Sequence, residues 1–137
     1  MSHIAKIELE INDLAALRAA ANNLGYEFKE NQQTYAWYGV WVGDAPLPDG
    51  ITEEELGKCS HALRVPGCKY EIGVVQKGQN YILLWDFWHR GGLTQQHTGL
   101  LKQAYTLERV RREAKLKKYK IQESKIKNGV RVVLNHA

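Results

Sequence analysis

The chain has 137 residues, of which 44% are hydrophobic and 25% are charged. These values are typical of a soluble globular protein that buries one core without cross-links such as disulfides or metal ions. Its two cysteines do not make a disulfide framework. No apolar run approaches the ~20 residues of a membrane span, and the first residues lack a signal-peptide core. We therefore predict a single domain over residues 1–137, located in the cytoplasm and without a membrane partner.

The net charge of +4 is distributed unevenly along the chain. Residues 1–108 carry 9 basic and 13 acidic side chains, whereas residues 109–127 carry 9 basic and 2 acidic ones. The positive field therefore belongs to one segment and not to the whole surface. Such a segment predicts contact with nucleic acid or with an acidic protein partner.

Hydrophobic periodicity predicts a strand, a helix and two further strands in the first part of the chain. From Ala5 to Ile11, apolar and charged side chains alternate as in a half-buried strand. Asn12 is a suitable N-cap, and apolar residues then recur at helical spacing until Gly25 ends the helix. A short strand is predicted over residues 26–29, and the aromatic run Thr34 to Val42 predicts another.

The strongest pattern is a hairpin of two strands within Cys68 to Trp88. Its second strand is apolar on both faces over residues 81–88, which predicts a central strand covered on both sides. Before the hairpin, the turn-rich run Gly43 to Gly50 predicts a surface loop. Thr52 and Glu55 then have capping-box spacing, so a short helical turn is expected there.

The last part of the chain predicts a long helix and a second hairpin. The helix follows a loop that ends near Thr98 and extends to about Lys118, and two strands flank Asn128-Gly129. The order of elements predicts an α+β fold, with a mainly antiparallel sheet and two helices on one face, ferredoxin-like with additions. The predicted buried stripe of the long helix is Leu100, Ala104, Leu107, Val110 and Ala114.

Several motifs along the chain resemble those of one protein family. They include Asp13-Leu14, Leu24-Gly25, Lys69-Tyr70-Glu71-Ile72-Gly73, Tyr81 to Trp88, Ala104-Tyr105 and Asn128 to Leu134. In this order they resemble the uncharacterised family that includes hypothetical chloroplast reading frame thirty-five of algal plastids. The stretches Lys58-Cys59-Ser60-His61-Ala62 and Val65-Pro66-Gly67 resemble its bacterial and phage branch.

This resemblance implies little about chemistry, because the family has no assigned activity, cofactor or catalytic residues. Its bacterial members are often encoded beside ATPases of the AAA class. The resemblance therefore implies an accessory role and an AAA ATPase as a protein partner.

Asp86 is the principal candidate for a catalytic residue. A carboxylate inside an apolar strand costs several kcal/mol if it is buried, charged and unpaired, so it needs a partner or a shifted pKa. His61, His89 and Arg90 in the flanking loops are candidate partners. Two hypotheses stay open: a hydrolase site formed by Asp86, His61 and His89, or a strand-end aspartate that caps loop amides.

The basic residues near the last helix form a second candidate site, for a protein partner or for nucleic acid. Aromatic residues such as Tyr35, Trp37 and Trp41 could add base stacking if they lie on a sheet. The alternative is a solvated helix face and ordinary core aromatics. The candidate basic residues are Lys102, Arg109, Arg112, Lys115 and Lys118.

The remaining motifs do not indicate a cofactor. Cys59, His61 and Cys68 could in principle hold zinc, but they lack the paired cysteines of fingers and ribbons. Gly91-Gly92 lacks the frame of a phosphate loop. We therefore predict no metal and no cofactor, and we favour a small non-catalytic binding or adaptor domain. A hydrolase and a nucleic-acid-binding protein using residues 102–127 are the alternatives.

Overall fold

The computed structural model describes residues 3–41, 43, 46–116, 119–126 and 129–136, the last two segments by their backbone alone. Two short 3₁₀ turns, Glu53–Glu55 and His89–Gly91, lie between the larger elements. Those elements, in chain order, are β1 (Ile4–Ile11), α1 (Leu14–Leu24), β2 (Glu27–Lys29), β3 (His61–Arg64), β4 (Glu71–Lys77), β5 (Asn80–Asp86), α2 (Gln95–Leu116), β6 (Tyr119–Ile126) and β7 (Gly129–His136).

Five strands form one sheet in the order β1-β5-β4-β3-β2, and β6 and β7 form a separate two-stranded hairpin. Every neighbouring pair in the larger sheet is antiparallel, so β1 and β4 run parallel with β5 between them. The predicted α+β architecture and the central position of β5 are confirmed. The finer ferredoxin-like assignment stays a prediction. Among the described residues, no helix is both long enough and apolar enough to cross a membrane.

Helix α1 begins one residue later than predicted. The N-cap is Asp13, whose Oδ1 accepts a hydrogen bond from Ala16 N at 3.0 Å. The predicted cap Asn12 instead donates its backbone N–H to the Tyr105 hydroxyl at 3.2 Å. Gly25 ends the helix at φ 77°, where its N–H reaches the carbonyls of the last turn. The sequence therefore placed the helix correctly and its first residue wrongly.

Both helices cover the same face of the sheet, which we call the helix face. Leu17 of α1 and Leu101 of α2 are fully buried there in one apolar cluster. The predicted stripe of α2 is correct at Ala114, which is buried, and wrong at Leu100, which is 38% exposed while Tyr105 is buried. The buried stripe of α2 includes Thr98 and Tyr105, which were not predicted as core residues because their side chains carry hydroxyl groups. The strand residues that share the cluster are Ile7, Ile11, Leu63, Ile72, Val74, Leu83 and Trp85.

The opposite side, which we call the loop face, is covered by the irregular segment 33–57. Tyr35, Ile51 and Leu56 from this segment pack against Ala62 and Leu84 of the sheet. The predicted strand from Thr34 to Val42 is wrong: over its described residues only an isolated bridge between Thr34 and Lys58 occurs, and Val42 lies outside them. Aromatic content alone therefore overestimated strand formation here.

Two glycines make room for aromatic rings from this segment. A Cβ added at Gly73 of β4 would clash with the Tyr35 ring, and one added at Gly57 would clash with the Trp37 ring. Gly57 also has φ 80°, a conformation that other residues rarely adopt. The loop face thus accommodates the rings of Tyr35 and Trp37 at positions that lack a Cβ.

Candidate functional site

Asp86 lies at the end of β5, opposite Ile4 of β1, and its side chain is fully buried. Its Oδ1 accepts hydrogen bonds from His3 N at 3.1 Å and from Trp88 N at 3.0 Å. Its Oδ2 accepts one from Tyr38 N at 3.1 Å. Among the described contacts, it hydrogen-bonds to no histidine or arginine side chain. Three backbone amides thus surround the carboxylate, which agrees with the hypothesis of a strand-end aspartate that caps loop amides and not with the expected pairing to a cation or a histidine.

His61 lies on the other side of the sheet from Asp86. It pairs with Val74 of β4 on the helix face, and it is only 7% exposed. Its Nδ1 accepts a hydrogen bond from Asn31 N at 2.9 Å, and its ring packs beside Phe28. Burial lowers the pKa of His61, because the charged imidazolium is poorly solvated there.

The exposed His89 lies next to Trp88, with ring centroids 5.9 Å apart. Asp86 lies two residues after Leu84 in β5, so its side chain shares the loop face with Leu84. The side chain of His61 lies on the helix face. The structure does not bring His61, Asp86 and His89 together into one site.

Rings on both sides of Asp86 in the chain and in space form two groups of contacts at the surface. The His3 ring stacks on Phe87 with centroids 4.9 Å apart, and Tyr38 contacts Trp88 edge-on at 5.0 Å. The guanidinium of Arg90 lies over the Trp88 ring at 5.4 Å, a cation–π contact. We call His3, Tyr38, Phe87, Trp88 and Arg90 the aromatic surface.

The aromatic surface is exposed although its backbone is anchored. Phe87 is 43% exposed and Tyr38 is 41% exposed, unlike most large rings of the chain. The sequence did not indicate this surface, because Phe87 and Trp88 continue the apolar strand pattern. The available clue was the run Phe87 to Arg90, in which two aromatic residues follow Asp86 and are followed at once by His89 and Arg90.

A depression of about 430 Å³ adjoins the aromatic surface on the helix face. Phe87 lines the depression and also belongs to the aromatic surface. The depression is lined by Ala5, Trp85, Phe87, His89, Leu93, Thr94 and Gln95.

A second buried carboxylate, Glu71 of β4, holds the same loop segment that Asp86 holds. Its Oε1 accepts hydrogen bonds from Ala36 N at 2.9 Å and from Gln32 Nε2 at 3.0 Å. Its Oε2 lies 3.3 Å from Lys29 Nζ. The sequence pattern contained a clue, because Glu71 alternates with the buried Ile72 and so points to the opposite face. The two carboxylates together provide acceptors for a segment that forms no strand over its described residues.

Two of the candidate basic residues of α2 make contacts within the chain. Arg109 Nη1 lies 3.1 Å from the Oδ2 of Asp13, and Arg112 Nη2 donates to the carbonyl of Ala15 at 3.4 Å. Lys102 and Lys115 are exposed and form no ion pair among the described residues. Lys118 lies outside the described residues. The structure therefore uses Arg109 and Arg112 to join α2 to the first turn of α1.

The contacts of Asp13 change the pKa of its carboxyl group. Burial alone would raise its pKa, but the amide of Ala16 and the guanidinium groups of Arg109 and Arg112 together lower it below its usual value. Asp13 thus serves as a helix cap and as an ion-pair partner.

The cysteines are separated and have protonated thiols at neutral pH. Cys59 donates its thiol to the carbonyl of Gln32 at 3.1 Å, and burial raises its pKa to about 11. Burial also raises the pKa of Cys68. Among the described residues, no three His, Cys, Asp or Glu side chains lie close enough to hold a metal ion.

Residues 50–133 match the model of a family described as "Protein of unknown function (DUF1257)". The match covers more than half of the chain and includes β3, β4, β5 and α2. No curated protein and no solved structure matches the chain. The chain therefore belongs to the DUF1257 family of proteins of unknown function.

Proposed function

We propose that this chain is a small non-catalytic binding domain, an adaptor, which engages a protein partner through the aromatic surface. The observation that carries the proposal is the exposure of Tyr38, whose amide donates to Asp86, and of Phe87, whose amide donates to the carbonyl of His3. Aromatic and arginine side chains are enriched at protein interfaces, and they dominate the binding energy there. A fixed backbone also lowers the entropy lost on binding.

The hydrolase alternative has less geometric support. His61 and Asp86 face opposite sides of the sheet, and His61 uses its Nδ1 to accept the Asn31 amide. The carboxylate of Asp86 is fully buried and already accepts three amides, so a substrate has no direct access to it.

The nucleic-acid alternative rests on residues 102–127. Arg109 and Arg112 contact Asp13 and Ala15, although Arg109 is also exposed, which leaves Lys102 and Lys115 as the candidate cations without an ion pair in the described part of α2. Within the described part of α2, two unpaired lysines give a weaker electrostatic footprint than the four candidate residues that lie there. This alternative is therefore retained as an outcome of the test.

For the partner, we propose an ATPase of the AAA class, met in the cytoplasm, with this chain as an accessory protein. The support is the resemblance of the stretch from Lys58 to Ala62 and of Val65-Pro66-Gly67 to the bacterial and phage branch of the family. An accessory role also agrees with a chain that has no phosphate loop of its own.

The proposal is tested by capturing partners with the tagged chain from extracts of its own organism and reconstituting each complex from purified proteins. We expect the double variant Tyr38→Ser with Phe87→Ser to bind at least roughly tenfold more weakly, because exposed aromatic anchors carry much of the binding energy. The matched control is the double variant Lys102→Ala with Lys115→Ala, which should bind as the wild type does. Circular dichroism checks that both variants fold.

The opposite pattern would contradict the proposal. If the lysine variant loses its ligand and the aromatic variant retains it, the aromatic surface is not the binding site. If that ligand is nucleic acid and its affinity falls steeply with salt, the nucleic-acid alternative is the correct one. Turnover of a substrate by the purified chain, lost in His89→Ala, would support the hydrolase.

A further inference from the structure

The hairpin of β6 and β7 is a sheet of its own. It pairs with no described strand of the five-stranded sheet, and its contacts with other elements are mainly with α2, which leads into it. The side chain of Leu116 at the end of α2 is 85% exposed, so α2 has left the core before the hairpin begins. A two-stranded hairpin is marginally stable in water unless a third strand or an apolar cover joins it. The hairpin therefore requires a partner.

The register of the hairpin separates apolar residues from basic ones. Ile121 pairs with Leu134, and Lys120 pairs with Asn135. Directly paired residues share one face of a sheet, and successive residues alternate between the two faces. Five of the eight residues of one face are therefore apolar, whereas the opposite face carries two basic residues and no acidic one. The apolar residues are Tyr119, Ile121, Val130, Val132 and Leu134, and the basic ones are Lys120 and Arg131.

The outer strand β1 has two faces that match those of the hairpin. It pairs with β5 on one side and with no described strand on the other. Its apolar residues lie on the helix face, where Ala5 and Leu9 are only partly buried. Its loop-face residues include Lys6 and the exposed carboxylates of Glu8 and Glu10, so acidic groups predominate there. Like β7, β1 has eight residues.

From these observations we infer that β7 of one copy of the chain adds to the open edge of β1 in a second copy. The apolar face of the hairpin then continues the helix face, and its basic face meets the acidic residues of β1 across the strands. Exchange in both directions closes a two-fold dimer and removes the open edge of β1.

The occupant is a second copy because this chain itself supplies the matched length, the matched apolar faces and the opposite charges. The inference goes beyond the proposed function, since neither β1 nor β7 contributes a residue to the aromatic surface. It assigns a second interaction surface to the chain, and this surface joins two copies.

Two charge reversals test the pairing, with sedimentation velocity of the full chain as the measurement. The acidic-row variant is Glu8→Lys with Glu10→Lys, and the basic-row variant is Lys120→Glu with Arg131→Glu. We expect the wild type to dimerise and each variant to dimerise at least roughly tenfold more weakly, because like charges then face each other at both junctions of the dimer.

A matched control reverses two charges elsewhere. Lys102→Glu with Lys115→Glu changes two exposed cations of α2, and it should leave the dimer unchanged. Circular dichroism checks that every variant folds.

Mixing the acidic-row and basic-row variants distinguishes this pairing from any other dimer. In the mixed dimer, the new lysines of one β1 meet the new glutamates of the other copy's hairpin, and the second junction is that of the wild type. Opposite charges are thus restored at both junctions. We expect the equimolar mixture to dimerise with nearly the affinity of the wild type, although neither variant does so alone.

Three results would overturn the inference. A wild-type chain that stays monomeric at all concentrations would mean that the charges of β1 protect a free edge from pairing. A dimer that neither reversal weakens, or one that mixing does not restore, would show that β1 and β7 do not pair between copies. Partner capture with Tyr38→Ser and Phe87→Ser is a separate measurement, so failure of the proposed function is distinguishable from failure of this inference.

Discussion

The two faces of the sheet are covered in different ways. On the helix face, aliphatic residues such as Leu17 and Leu63 pack between regular elements whose backbone hydrogen bonds are internal. On the loop face, the covering segment 33–57 forms only the isolated bridge of Thr34 with Lys58 over its described residues. Its amides at Ala36 and Tyr38 are satisfied by carboxylates from the sheet.

This difference explains the residues that interrupt the apolar strands. A buried amide without an acceptor is costly, so an irregular cover requires acceptors on the surface that it covers. Glu71 and Asp86 provide them, and Gly73 makes room for the ring of Tyr35. The loop face therefore determines the position of Tyr38 and Trp88, which form part of the proposed binding surface.

The largest expected effect comes from Asp86→Asn. In the wild type, backbone N–H groups donate to both carboxylate oxygens of Asp86. Asparagine keeps the shape of the side chain but replaces one of these oxygens by an NH₂ group, which cannot accept a hydrogen bond. We expect the free energy of unfolding to fall by about 2–4 kcal/mol, since hydrogen bonds to a charged group are lost in a buried position. Denaturant unfolding measures the change.

Asp49→Asn is the matched control, because Asp49 is an exposed carboxylate of the covering segment. It should change the free energy of unfolding by less than about 0.5 kcal/mol. Equal stability of the two variants would mean that the loop face does not depend on its buried acceptor.

Gly73→Ala should have the next largest effect. The added Cβ would overlap the Tyr35 ring, which must move within a closely packed face. We expect a loss of about 1–3 kcal/mol, the usual cost of overpacking. In a Tyr35→Ala background the same change should be nearly neutral, because the obstructing ring is gone.

Gly99→Ala provides the contrasting glycine. Gly99 lies inside α2, and a Cβ added there would meet open space, so alanine should stabilise the protein by about 0.5–1 kcal/mol. An equal loss of stability from Gly73→Ala in the wild type and in the Tyr35→Ala background would show that Gly73 has no special relation to Tyr35.

A smaller effect on stability is expected from protonation of His61, on the helix face, as the pH falls. Burial lowers its pKa below 6.5, so the unfolded chain binds the proton more tightly than the folded chain does. Its contribution is complete above pH 6.5 and is lost as the pH falls through the folded-state pKa. In His61→Asn, the melting temperature should fall less steeply over this interval. Identical slopes for the two proteins would contradict this account.

The smallest effect is expected from Asp13→Asn. Asparagine keeps the helix cap but removes the ion pair with Arg109, which is worth roughly 0–1 kcal/mol at the surface. Since the Asp13 pKa is lowered, the loss should be present above its usual value of 3.8 and disappear as the pH falls below it. Thermal melts at neutral and acidic pH measure the difference, and a pH-independent difference would argue against the ion pair.

The regular elements were largely predictable from the sequence. The alternation in β1 and the two apolar faces of β5 depend on local order along the chain, and the structure confirms both. The capping box of Thr52 and Glu55 is also present. Such patterns are local, so a single sequence contains them.

The site was less predictable because it depends on strand order and on an irregular segment. Placing His61 near Asp86 required knowing that β3 and β5 are separated by β4, and that the two side chains face opposite sides. The contact between Asp86 and the Tyr38 amide joins residues 48 positions apart through a loop without periodicity. The ion pair of Arg109 with Asp13 is equally non-local. Propensity and spacing contain no information on these contacts.

The central claim is that Asp86 holds the backbone beneath the aromatic surface. Amide hydrogen exchange, followed by NMR in the wild type and in Asp86→Asn, tests it most directly. The amides of His3, Tyr38 and Trp88 should be protected in the wild type and should exchange much faster in the variant, while amides within α1 keep their protection. Unchanged protection at these three amides in Asp86→Asn would contradict the claim.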